Sequence, residues 1–377
     1  MKPLYRIHSI VELKINEVSN YNFTVYPIDL NKIKGIHPLG QIGPPSHMFP
    51  TDHIYFELVN PNESISVYAP GNVTISTIRK CGENDFEVHM TFTSYLRGYY
   101  YHMTSINSSI FGDLSYNSFG EANVNIYVIE GTVIGTVGGQ GMNGVCLDFG
   151  LYDNRVNLKG FIHPEFYGDM VHTVCPLDYY IEPLKTNLYD KLLWEGTGPK
   201  NGGRIDYDQP GKLIGTWFLK SWNVDLTQDW LIACRNVLTF VYDNINNSKI
   251  VVAIGGNLMN GESDMFYIQN NAPDPANISV SSGKIVYHLM DINNGLPLDK
   301  TLLVQLIDND TLKVELFDGT YSAAELQFTS NAKIYDRGSR TSFNVGIENI
   351  LLLLITLLII IALDYVRRVI KVYNRLI

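Results

Sequence analysis

Upstream of residue 175 the chain alternates short apolar runs with polar breaks. HIYFELV, SISVYA, NVTISTI, FEVHMTF, NVNIYVI and GTVIGTV follow one another with Pro, Gly, Asn and Asp between them. Runs this short, recurring about every ten residues, mark an antiparallel β unit. The pattern then changes. PLDYYIEPLKTNLYDKLLWEG, beginning at Pro176, has the Leu and Tyr spacing of a short connecting helix, and KNGG at 200–203 reads as a turn. From Arg204 to Arg337 strand-like runs return as KLIGTWFL, VLTFVYD, KIVVAIGG, KIVYHLM, TLLVQLID, TLKVELFDG and AELQF. They predict a second β unit, a β-sandwich or barrel, with no internal repeat relating it to the first. The expected organisation is mostly β: an N-terminal segment at 1–35, an antiparallel β domain at 36–180, a connecting helix and linker at 181–203, and the second β domain at 204–340.

One run has neither pattern. Residues 350–363, ILLLLITLLIIIAL, are uncharged, and as a helix these 14 residues reach only about 21 Å. Over 345–366 the segment has 22 residues and a length of about 33 Å, enough to span a hydrocarbon core of about 30 Å. Arg367, Arg368, Lys371 and Arg375 follow in a basic tail at 367–377. The positive-inside bias then puts the tail in the cytoplasm and the globular part outside it. A buried core helix is the plainer alternative, disfavoured by uninterrupted Leu and Ile next to a basic flank. The stretch MKPLYRIHSIVELKINEVSN holds no apolar region of signal-peptide length, which leaves the export route open. Sequons at Asn22, Asn62, Asn72, Asn107, Asn246, Asn277 and Asn309 lean toward the outside reading.

Composition narrows the partners. Lys plus Arg number 28 against 38 Asp plus Glu, a net charge of −10, and no basic run occurs outside the last dozen residues. Duplex nucleic acid is excluded as a partner, because phosphate binding needs clustered positive charge. With 45% apolar and 18% charged residues the chain can bury a core, and 24 Tyr, 31 Gly and 16 Pro favour strands and turns over long helices. Cys81, Cys146, Cys175 and Cys234 show no C-x-x-C spacing, so neither a zinc ribbon nor a dithiol redox pair is indicated.

The chemistry concentrates in IHPLGQIGPPSHMFPTDHIYF, residues 36–56, where His37, His47, Asp52 and His53 lie beside a Gly- and Pro-rich loop. Imidazole nitrogen and carboxylate oxygen are zinc donors, and His-x4-Asp is short enough to reach one ion across a tight turn. Read alone, these are also ordinary loop histidines. Further along, Tyr99-Tyr100-Tyr101-His102-Met103, the glycine-rich Gly131–Gly138 and Cys146-Leu147-Asp148-Phe149-Gly150 follow in order. His102 without partners in view is a core histidine, and Asp148 a turn cap.

The order of these motifs over residues 36–180 is similar to that of the lysostaphin-type (LytM-like) zinc metallopeptidases. In that family His-x3-Asp is followed by a strand reading like V-x-A-P/A-x-x-G-x-V, here SVYAPGNV at Ser66 to Val73, then by Tyr-x-His-Leu and a glycine-rich approach to His-x-His-Phe-Glu. The resemblance implies His47, Asp52 and Asp148 as metal ligands, with His53 as an alternative, and His102 at a catalytic histidine position. Cys146 stands where the family has the histidine that stabilises the oxyanion, and Asp148 where it has a histidine ligand. With both histidines replaced, and His-x4-Asp in place of His-x3-Asp, the resemblance points to a degenerate active site.

Elsewhere the signals are thinner. Gly215-Thr216-Trp217 resembles the Gly-x-Trp of lipocalins, whose Trp plugs one end of a barrel; the plainer reading is a buried strand Trp. Asp206 with Asp208, and Asp308 with Asp310, read as solvated loop carboxylates and not as a glycosidase pair. No nucleophile elbow, Walker loop, H-E-x-x-H or EF-hand loop occurs. The leading reading is a membrane-anchored cell-envelope or surface protein. Its lysostaphin-like domain binds or scaffolds without turnover, taking a peptide or cell-wall ligand, with or without a retained Zn2+. The alternative is an active zinc metalloendopeptidase cleaving cell-wall-type peptides, with His102 as polarising partner. A third is a purely structural surface or viral coat protein.

Overall fold

Alternation of buried and exposed side chains turns the apolar runs of the first half into nine strands. They are β1 (Ile33–His37), β2 (His53–Leu58), β3 (Ile65–Tyr68), β4 (Val73–Gly82), β5 (Asp85–Thr91), β6 (Leu96–Ile106), β7 (Glu121–Val128), β8 (Val133–Val137) and β9 (Cys146–Asp153). The computed structural model describes residues 21–139, 146–224 and 234–338, and the chain through Arg337 forms one compact unit. The membrane span expected at 345–366 and the basic tail lie outside the described residues. Among the described residues no helix is long and apolar enough to cross a membrane.

The nine strands make one antiparallel sheet in the order β1-β2-β9-β6-β5-β4-β7, with β8 pairing β6 and β3 pairing β8. β6 is the hub. Its first half, Leu96–Tyr101, pairs β9, and its second half, from Met103, pairs β8. Because side chains alternate across a pleated strand, Ile54, Phe56, Tyr100, Leu147, Phe149 and Leu151 all enter the core on one face. Phe23, Ile28 and Ile33 from the N-terminal segment close over that core, fastened by a backbone hydrogen bond from Phe23 N to Tyr179 O. The connecting segment contains the helix expected there, Leu184–Lys191, whose Leu188 is buried against the same core.

The second half resolves the choice between sandwich and barrel. Strands β10 (Gly215–Leu219), β11 (Val237–Tyr242), β12 (Ile250–Ile254), β13 (Asp264–Ile268), β14 (Ile285–Asp291), β15 (Pro297–Leu306), β16 (Thr311–Asp318) and β17 (Lys333–Asp336) form a closed barrel in chain order. β17 returns to pair β10, Phe218 opposite Asp336. β11 and β12 are apolar on both faces for a reason: the inner face fills the barrel with Leu238, Phe240, Val252 and Ile254. The outer face, Val237, Val241, Val251 and Ala253, packs on Ile42, Met48, Phe166 and Tyr167 from loops of the sheet half.

Trp217 is fully buried in the barrel, its Nε1 donating to Leu213 O at 2.7 Å. The Arg337 guanidinium lies 3.7 Å from the ring centre. Arg337 also donates to the carbonyls of Lys212, Ile214 and Thr216 at 2.7–2.8 Å and to Asp208 Oδ1 at 3.2 Å. Two expectations are corrected here. Asp208 is not a solvated loop residue: it is buried, accepting from Thr216 N, Ile162 N and Arg337. AELQF is not a strand, because Glu325 folds back to accept from Ser322 N and Oγ, and the eighth strand is KIYD at 333–336.

Candidate functional site

The site arises from strand register. Across β2, β9, β6 and β5 the row His53–Gly150–Tyr99–His89 is paired residue to residue, and the next row is Tyr55–Asp148–Tyr101. Directly opposed residues share a face, so when the alternate positions fill the core, these polar ones line the opposite side. Gly150 has a specific task there. A Cβ at this position would collide with the Tyr99 ring, so glycine lets Tyr99 lie across the strand and reach toward β2.

His102 sits where β6 changes partner. Tyr101 is its last residue opposite β9 and Met103 its first opposite β8, and His102 between them has φ of 63°. That left-handed conformation costs a non-glycine residue about 1–3 kcal/mol. It aims the imidazole at two carboxylates. His102 Nδ1 is 3.1 Å from Asp85 Oδ1, and Nε2 is 3.6 Å from Asp148 Oδ2.

His53 mirrors this arrangement from β2. Its Nδ1 is 3.0 Å from Asp52 Oδ1, and its Nε2, buried with no hydrogen-bond partner, is 3.5 Å from Asp148 Oδ2. Asp52 is held further by the Tyr99 hydroxyl at 3.2 Å and by the Tyr152 hydroxyl on its other oxygen. Asp148 Oδ1 accepts from Cys146 Sγ at 3.4 Å. The His47 ring centre is 5.6 Å from that of His53.

Burial and charge sort the protonation states. Burial raises the Asp148 carboxyl above the usual range, against the pull of His53 and His102. Burial would do the same to Asp52, but hydrogen bonds from His53, Tyr152 and Tyr99 outweigh it and hold Asp52 low. Burial alone would lower His53, yet Asp148 and Asp52 raise it. For His47 the balance goes the other way: burial, reinforced by His53 and only partly opposed by Asp52, lowers it to about 4. At neutral pH Asp52 is therefore a carboxylate and His47 a neutral imidazole.

The structure brings His47, Asp52, His53, His102, Cys146 and Asp148 to one end of the sheet face. Of the ligand set that the resemblance implies, His47, Asp52 and Asp148, both Asp52 oxygens accept hydrogen bonds, from His53, Tyr99 and Tyr152. As the side chains stand, no group of three or more His, Cys, Asp or Glu donors among the described residues is closed around a metal position. Asp85 and Tyr152 belong to the site and escaped sequence reasoning. Tyr152 lies two alternations beyond Asp148 on β9, a signal that the pleat would have shown; Asp85, at the start of β5, carried none.

Beside this cluster a cleft of about 510 Å3 lies over the sheet, lined by Tyr99 and Tyr152, which hold Asp52, and by Glu87, His89, Thr77 and Asn123. Its lining is polar and offers hydroxyl, amide and carboxylate groups at strand spacing.

No protein-family model and no curated protein matches the chain. Among solved structures it is similar to Csd3 of Helicobacter pylori, with 17% identity over 43% of this chain and 36% of that one, at a TM-score of 0.28. It is similar also to a zinc containing peptidase from Vibrio cholerae, with 20% identity over 36% of this chain and 38% of that one, at 0.26. A third is pseudoalterin, an M23 metalloprotease from the deep sea, with 18% identity over 36% of this chain and 71% of that one, at 0.22. The chain thus spans under two fifths of the length of the first two. At these TM-scores the likeness carries no argument about the activity of this chain.

Proposed function

We propose that the protein is a cell-envelope or surface protein whose sheet is a lysostaphin-like module that binds a peptide without cleaving it. The observation that carries this reading is the polar cleft floored by Tyr99 and Tyr152, the two tyrosines that hold Asp52. Extended peptide has one backbone donor and one acceptor per residue, which hydroxyl, amide and carboxylate side chains on neighbouring strands can meet. Turnover would need an oxyanion-stabilising group near the attacked carbonyl. At the position where the resemblance expects a histidine, Cys146 instead directs its thiol to Asp148. The segment 345–366 is the proposed anchor, leaving the globular part extracytoplasmic.

The test is titration of the detergent-solubilised full chain with pentaglycine and with soluble cross-linked muropeptides, following binding by calorimetry and products by mass spectrometry. Binding with no cleavage is expected, and it should weaken about tenfold in Glu87→Gln or Asn123→Ala, the loss of one or two hydrogen bonds. Cleavage would replace this reading with the active endopeptidase. Absence of binding to either probe would remove the peptide-binding role.

A further inference from the structure

Where the sheet half meets the barrel, two hollows adjoin that share no lining residue with the cleft. The narrower holds about 160 Å3, and Ile42, Val251, Met265 and Ile292 give it aliphatic walls. Gln41 lines it too, and its Oε1 is buried without a hydrogen-bond partner. A buried acceptor in that state is costly until a donor reaches it. The wider hollow, of about 450 Å3, shares Tyr242, Asp243 and Asn244 with the first and adds Trp194, Tyr207 and the amides of Asn201 and Asn247. Its rings are fixed in place. The Tyr242 hydroxyl donates to Asp274 at 2.8 Å, Trp194 Nε1 donates to Gly198 O at 3.2 Å, and Tyr207 meets Tyr242 edge to face with ring centres 5.9 Å apart. Asn244 Nδ2 donates to Pro38 O, and Glu195 N to Ile245 O, both at 2.9 Å, so the walls are tied across the junction. A site built in advance binds without the cost of ordering it.

The charges of this lining are already paired. Arg204 lies 3.0 Å from Asp206, and Asp243 accepts from Ile245 N, Asn246 N and the Tyr267 hydroxyl. His37, whose pKa burial lowers from 6.5, is a neutral imidazole at pH 7. The fitting guest is therefore neutral, since a buried ion needs an opposite charge of its own. Rings bordered by amides suit a sugar, whose axial C–H groups form an apolar face and whose equatorial hydroxyls point outward to hydrogen-bonding groups. An aliphatic slot with one side-chain amide suits an acetamido branch: the methyl meets the walls, and the N–H and C=O pair with an amide. A planar heterocycle would use the rings and leave the slot empty. We propose that the junction binds a neutral saccharide containing an N-acetylated amino sugar, with its ring beside Trp194 and Tyr242 and its acetamido group in the slot with Gln41. The site goes beyond the peptide reading and does not rest on it. It also needs both halves of the chain, because Ile42 belongs to one and Val251 and Met265 to the other.

The test is calorimetric titration of the full chain, in a detergent without a sugar head group, with diacetylchitobiose, N-acetylgalactosamine, cellobiose and adenosine. An N-acetylated sugar should bind saturably, diacetylchitobiose more tightly where the natural source is a linear polymer and N-acetylgalactosamine where it is a terminal branch. Cellobiose, which has hydroxyl groups in place of both acetamido groups, should bind at least about tenfold more weakly, the loss of one or two hydrogen bonds. Gln41→Met keeps the side-chain length and removes the amide. It should weaken the N-acetylated sugar about tenfold without lowering the melting temperature, because the oxygen removed has no partner in the free protein. Trp194→Ala should weaken it by a similar factor, and Ile292→Trp, which fills the slot, should abolish binding. Far-UV dichroism establishes the fold of each variant, and Gln41→Met and Ile292→Trp decide the matter should Trp194→Ala unfold. Folded wild type that binds neither N-acetylated sugar overturns the proposal. So does cellobiose or adenosine bound as tightly, or unchanged affinity in folded Gln41→Met and Ile292→Trp. Pentaglycine reads the cleft alone and should bind these variants as it binds the wild type, so the peptide reading and the saccharide site fail separately.

Discussion

The sheet and the barrel bury charge in opposite ways. In the barrel, Arg337 and Asp208 neutralise one another, and the guanidinium meets three carbonyls and the Trp217 face with only its Nε left without a hydrogen-bond partner, so the charge is consumed in closing the structure. In the sheet, His53, His102 and Asp148 approach one another without completing their hydrogen bonds, and a strained φ at His102 keeps them so. A buried charge met by an opposite charge and by carbonyls serves stability, whereas titratable groups gathered on an open face are where function is sought.

That contrast can be broken most strongly at Arg337. Arg337→Ala leaves Asp208 buried without its cation, and equilibrium denaturation should show a loss of about 3–5 kcal/mol. Arg337→Lys should recover little of it, since an ammonium cannot span the same set of acceptors. A loss below about 1 kcal/mol in Arg337→Ala would show the barrel closed by its strands alone. Next in size is Gly150→Ala on the sheet. Displacing the Tyr99 ring should cost about 1–3 kcal/mol in the same assay, and it should also weaken cleft binding, which Arg337→Lys should spare wherever the chain stays folded.

Tyr152→Phe removes one donor from the buried Asp52 carboxylate and should cost about 1.5–3 kcal/mol at neutral pH and less once acid protonates Asp52; chemical denaturation at two pH values tests it. The smallest effect is expected at the junction, where His37 of the sheet half lies in a pocket with Tyr242 and Asp243 of the barrel half. Burial lowers the His37 pKa from 6.5, opposed by Glu57. As pH falls, the unfolded chain takes up this proton before the folded one. The stability tied to neutral His37 is then complete above about 6.5 and declines as pH drops through the folded value. His37→Gln should flatten that part of the acid limb in melts between pH 7 and 5; an unchanged limb would assign it to other groups.

Much of this contrast was legible in the chain, and its limits have physical causes. Short apolar runs located most strands because burial on one face leaves a period of two. DMFYI, β13, lacks a clean alternation and went unseen. The motif order brought His102 and Asp148 into view together, yet could not decide between Asp52 and His53, because a shift of one residue in a strand start exchanges faces. AELQF has strand-like residues, but Glu325 satisfies a local turn instead. The Asp208–Arg337 pair joins residues 129 apart in sequence, and no local pattern encodes such a contact.

The barrel seam has a consequence for how the chain is made. β10 finds its second neighbour only in β17, and the segment entering the barrel is clasped by Arg337. A nascent chain lacking β17 therefore carries two bare strand edges and an uncovered apolar lining, the conditions that favour aggregation and chaperone capture. Synthesis from the N-terminus completes the sheet well before that seam can shut. A stop codon anywhere between β16 and β17 should yield a protein that is cleared, even though well over four fifths of the chain has been translated.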